Sequence, residues 1–226
     1  MRPCWCRFCR DCSRLLANPA ATADLIAFLQ ALPEGRKRRG VRYPQWLLLL
    51  MAILGILSGC RSARDLERFA KRHHQVFSAA LDLELPKAPC DSTFLYLFER
   101  VELEQLFALL REWMLAQIAG QNKDFDQLIC DGKTLRGSAA QPELRLVRQR
   151  WAIENQWHWP RDTQLGEDAH RYSQRNGVQV LALLRTLALN LLRCNGFRSI
   201  RAGLMVVAHD FRRMLGWVGI LATEKG

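Results

Sequence analysis

The sequence predicts a mainly α protein, an N-terminal helical domain followed by a shorter mixed part. Three observations carry the prediction. Apolar residues recur at helical spacing through most of residues 22–119. Only one stretch, residues 125–131, reads as a strand. The character of the chain changes near residue 121, where "DFDQLICDGKTLRGS" replaces the helical pattern. The expected organisation is a loose extension over residues 1–20, a helical unit over 21–120 and a mixed unit over 121–226.

The elements follow in order. A short helix covers residues 22–32 and ends before Pro33. "PEGRKRRGVRYP" is a basic loop punctuated by Gly and Pro. Its residues 36–39 read either as a solvated charged linker or as a phosphate contact. "WLLLLMAILGILSG" is 14 residues long, short of the ~20 needed to span a bilayer, so residues 45–59 are expected to form a buried core helix. Residues 62–81 place Leu66, Phe69, Ala70, Val76 and Phe77 on one apolar face, with His73 and His74 read as surface residues. Asp91 or Ser92 is the expected N-cap of the next helix. Residues 102–120 form a helix closed by Gly120. Phe125, Leu128, Ile129 and Cys130 make the strand, which ends in the Asp131–Gly132 turn. Helix is expected again after Pro142 as far as Pro160, then between Gly177 and Gly196, and in one last amphipathic segment over residues 199–221.

Composition narrows the function. The chain has 226 residues, of which 49% are hydrophobic, enough to bury a core and too many for a disordered chain. A net charge of +11 points to a polyanionic partner, nucleic acid ahead of an anionic membrane; the bland alternative is a solvated cationic surface. Of the eight cysteines, Cys60, Cys90, Cys130 and Cys194 sit among apolar residues and read as small hydrophobes. Cys4, Cys6, Cys9 and Cys12 admit a thiolate metal cluster, but no second Cys or His pair follows at zinc-finger spacing, and a ragged extension is the preferred reading. No apolar signal-type run follows the basic start, so a cytoplasmic protein is expected.

Two carboxylates stand out. Asp131 lies at the C-terminal end of the strand, where a rigid edge aims it into a turn suited to a hard cation. An ordinary Asp-Gly turn explains it equally well. Lys133 and Arg136 follow at once and could neutralise phosphates. Glu154 lies within "VRQRWAIENQWHW", where Arg150 and His158 share its helix face and Trp151, Asn155 and Trp159 form the adjacent stripe. Such a carboxylate can be held near a metal and a phosphate. The plain reading is an amphipathic helix with a surface Glu–Arg pair and tryptophans in the core.

Taken together, "CDGKTLRGS", "RQRWAIENQWHWPRD" and "GEDAHR" resemble bacterial insertion-sequence transposases of the H-repeat-associated, ISAs-type family in the Asp-Asp-Glu superfamily. "LPEGRKRRGVRYPQWLLLLMAILGILSGCRSARDLERFAK" and "PCDSTFLYLFERV" resemble the helical domain that precedes the catalytic core in that family. The resemblance implies a ribonuclease H-like α/β catalytic fold, double-stranded DNA at the element ends as partner, and two Mg²⁺ ions held by three carboxylates. Two ions ~4 Å apart would activate a nucleophile and stabilise the leaving oxygen in phosphoryl transfer. On this carry-over Asp131 matches the first aspartate and Glu154 the closing glutamate, both catalytic and both metal ligands. Lys133, Arg136, Arg148, Arg150, Asn155, His158 and Arg161 are the expected DNA contacts.

One part of the pattern is missing. Only 22 residues separate Asp131 from Glu154 (154 − 131 − 1), and Glu143 is their sole acid. A strand-helix-strand crossover needs ~30 residues. The second aspartate and its scaffold therefore do not fit, which implies an internal deletion and a truncated ribonuclease H-like remnant. Asp162, Glu167 and Asp168 are the reserve ligands downstream. The expected outcome is a catalytically defective transposase; the alternatives are a DNA-binding remnant, which could pair with itself or with full-length relatives, and a degraded gene product.

Overall fold

The computed structural model describes residues 24–37, 41–119, 158–167, 172–208 and 210–220, all helix and connecting loop, with no strand among them. The mainly α prediction holds for this part. The expected strand over residues 125–131, Gly120, Cys130, the cysteine cluster and the reserve ligand Asp168 lie outside the described residues.

The architecture is built around α2 (Gln45–Leu57). Every residue of α2 except Trp46 is buried, so this apolar run is a core helix and not a membrane span. Helices α1 (Leu25–Gln30), α3 (Ala63–Leu81) and α4 (Asp91–Arg100) pack around it. Helix α5 (Leu103–Ala119) closes on α1 and buries Trp113 completely.

The C-terminal helices complete the same core. After the turn α6 (Trp159–Thr163), the 20-residue α7 (Arg175–Cys194) packs on both α2 and α4. By length and composition α7 could cross a bilayer, but Val180, Leu181, Leu184, Ala188 and Leu192 are buried on its neighbours. Helices α8 (Ile200–Val207) and α9 (Phe211–Trp217) follow. Leu25 N–H donates to the Val218 carbonyl at 3.1 Å, tying α1 to the end of α9.

Several expectations are corrected in detail. The single amphipathic segment over residues 199–221 is two helices, because the Asp210 side chain caps Arg213 N–H and starts a new one. Pro160 does not stop a helix: it occupies the first turn of α6, where its missing N–H has no partner to lose. Helix α7 begins two residues before Gly177, capped by the Gln174 side chain, which accepts from Gly177 N–H at 2.6 Å. Cys90, not Asp91 or Ser92, holds the N-cap position of α4; its thiol is exposed and lies 3.1 Å from the Ser92 hydroxyl. Val76 faces solvent, whereas His73 is half-buried and stacks on Phe211 with ring centroids 4.7 Å apart.

Candidate active site

The two predicted metal ligands, Asp131 and Glu154, and the predicted DNA contacts Lys133, Arg136, Arg148, Arg150 and Asn155 lie outside the described residues. His158 and Arg161, with the reserve acids Asp162 and Glu167, are placed. They form the segment directly downstream of the glutamate motif.

That segment is a tight, locally bonded loop. Thr163 Oγ1 donates to the Trp159 carbonyl at 2.7 Å, Gln164 N–H to the Pro160 carbonyl at 2.9 Å and Glu167 N–H to the Arg161 carbonyl at 3.1 Å. Arg161 then grips Glu167 in a fork: Nε donates to one carboxylate oxygen and Nη2 to the other, both at 2.7 Å. A bidentate guanidinium–carboxylate pair fixes both side chains. Arg161, expected as a DNA contact, is thereby engaged with Glu167 in the chain itself. Glu167, offered as a reserve metal ligand, has both oxygens bound by the same guanidinium. Gly166 adopts a positive φ of 66°, and a Cβ there would lie 2.8 Å from Arg61 Cδ. The turn therefore packs directly on the loop between α2 and α3.

Arg185 joins this corner. Its side chain sits on the apolar face of α7, and the residue is 2% exposed. Nη2 donates to the Arg61 carbonyl at 3.2 Å, while Nε has no hydrogen-bond partner. Burial pulls its pKa down, and the Glu167 carboxylate works against that shift. A lone cation amid "LALLRTLALN" was the sequence signal for this buried site, because a charge is not placed on an apolar face without a partner. Trp159 is 56% exposed, so this tryptophan is not core filling. Among the described residues no group of three His, Cys, Asp or Glu side chains could hold a metal ion. The described part thus does not itself fit the Mg²⁺ that the resemblance implies.

Two family models match the chain. One, described as DDE_Tnp_1-associated, covers residues 26–114, which is the helical unit from α1 into α5. The other, described as Transposase DDE domain, covers residues 131–191. The chain is similar to insertion-sequence transposases. An Escherichia coli O157:H7 protein named "Putative transposase YncI" is 38% identical over 47 residues, 21% of this chain and 12% of that relative's length. No solved structure matches. In this transposase-like chain, α7 belongs to the segment matched as the DDE domain, yet it packs on α2 and α4 of the segment matched as DDE-associated.

Proposed function

We propose that this chain descends from a DNA-transposing enzyme of the ISAs-type, Asp-Asp-Glu kind and has lost its strand-transfer activity. One observation carries the reading. The DDE-domain match starts on Asp131 and takes in Glu154, with 22 residues and no aspartate between them (154 − 131 − 1). Asp131 and Glu154 are then the two surviving catalytic carboxylates of a truncated ribonuclease H-like remnant over residues 121–226, preceded by the helical unit over 21–120. The divalent ion of such a site is Mg²⁺, and two carboxylates without a third hold a hard, reluctantly dehydrated cation weakly. Lys133, Arg136, Arg148, Arg150, Asn155 and His158 are the DNA contacts in this reading. Arg161 reaches DNA only by exchanging its Glu167 partner for a phosphate. The natural setting is the cytoplasm, on double-stranded DNA.

The test is a cleavage and joining assay with the purified chain, its own element ends and Mg²⁺. No nicked or joined product is expected, and Asp131→Ala is expected to behave like the parent. Strand cleavage abolished by Asp131→Ala would overturn the inactivity.

A second reading is a non-enzymatic DNA-binding remnant that interferes with full-length relatives. The match to the helical unit over residues 26–114 and the net charge of +11 favour it. Salt-sensitive association with duplex DNA is its signature.

A further inference from the structure

A groove of about 460 Å³ opens between the segment around Arg42 and the start of α4. Arg42, Tyr43, Lys87, Cys90, Ser92 and Thr93 line it, and no carboxylate does. Arg42 and Lys87 are exposed and make no ion pair among the described residues. The basic loop's other placed arginine behaves differently. Arg36 is 6% exposed, donates twice to the Glu34 carboxylate at 2.7 and 2.6 Å, and reaches the Tyr43 carbonyl at 2.8 Å. It is neither a solvated linker charge nor a phosphate contact.

That arrangement preforms the groove. Arg36 fixes the Tyr43 backbone, and the Tyr43 hydroxyl donates to the Lys87 carbonyl at 2.7 Å. One wall is thus bonded to the other, with a free cation on each. The hydroxyls of Ser92 and Thr93 lie 3.1 and 3.2 Å from Cys90 Sγ. They hold the Cys90 thiol below its ordinary range, so this corner already favours a negative charge.

We propose that this groove binds a backbone phosphate of duplex DNA, with Arg42 and Lys87 as the cations that neutralise it. Two exposed cations lining one groove that holds no carboxylate suit a phosphodiester, and such contacts set register without reading sequence. The inference rests on the DNA-binding reading above and adds a further anchor, on the helical unit.

The test uses the full chain and a random-sequence duplex. Affinity is followed across a salt series, and alkylation of Cys90 by iodoacetamide is followed by peptide mass spectrometry. For Arg42→Ala with Lys87→Ala we expect ~10-fold weaker binding at low salt and a salt slope smaller by about two. The equal-charge control, Arg201→Ala with Arg212→Ala, removes two exposed cations outside the groove and should change binding about 2-fold at most. Bound duplex should slow Cys90 alkylation about 5-fold. A wild-type chain that binds steeply with salt, while the double variant matches the control and Cys90 stays unprotected, overturns the groove alone. A wild-type chain that never associates with duplex overturns the groove and the DNA-binding reading together. Protection by inorganic phosphate equal to that by DNA, at matched ionic strength, reassigns the groove to a free anion.

Discussion

At the scale of single residues, charge and burial pull against each other. Arg185 is a cation in the core with one N–H unsatisfied. Replacing a poorly paired buried ion by an apolar side chain of similar size is often neutral or stabilising. Arg185→Met is therefore expected to leave stability unchanged or raise it by ~1 kcal/mol. Glu167→Gln removes the anion from Arg161 and Arg185 and should lower stability by ~1–2 kcal/mol. That figure sits below the value for a fully buried pair because the Arg161 and Glu167 side chains are 23% and 22% exposed. Urea midpoints of the two variants check this; equal losses in both would contradict it. Acid should destabilise the fold in two steps. Burial lowers the His73 pKa from its ordinary 6.5, so the unfolded chain binds the proton better and stability falls as pH drops through that value. The hydrogen bond from Arg36 holds Glu34 below its ordinary 4.5, so its contribution is present above that pH and is lost as pH falls through the carboxylate range. Urea midpoints measured from pH 7 to about pH 3 should show both steps, and His73→Phe should remove the upper one. A flat profile would refute the assignment.

At the scale of elements, the ends of the helices are set by identifiable side chains. Ser62 and Asp65 form a reciprocal capping box at the start of α3, with Asp65 N–H donating to Ser62 Oγ at 3.2 Å and Ser62 N–H to the Asp65 carboxylate at 3.1 Å. Burial alone would raise the Asp65 pKa, and hydrogen bonds to its carboxylate from the Ser62 hydroxyl and from the Arg61 and Ser62 N–H groups bring it below its ordinary value. Ser62→Ala is expected to cost about 1 kcal/mol, read from a thermal melt. The same spacing is visible in "SARD", so this cap was legible. Cys90 was not, since its type favours neither a cap nor exposure; the start of α4 is supported from outside, by a Glu67 oxygen that accepts Asp91 N–H at 3.4 Å. The α6 turn shows the same limit. A proline reads as a stop, yet Pro160 is buried in the first turn of α6, where no helical N–H is required of it.

At the scale of the whole molecule, the core ignores the change in sequence character near residue 121. Leu184, Leu187 and Leu192 of α7 belong to the same buried cluster as Leu50, Ile53 and Phe94. A fragment of residues 21–120 would leave the α7-facing sides of α2 and α4 in water. It is expected to lose cooperative unfolding and near-ultraviolet dichroism, even where helical signal persists. A soluble fragment with a sharp, two-state melt would show that the helical unit stands alone.

The sequence by itself determined the helical class, the buried nature of α2 and the transposase resemblance. These rest on periodicity, on the length of an apolar run and on local motifs, none of which needs a partner segment to be read. The tertiary structure alone decided that Arg36 is buried on Glu34, that Arg161 clasps Glu167, and that Arg42 and Lys87 face one groove. Each depends on which segments meet across the fold, and a side chain's charge carries no record of the partner that neutralises it.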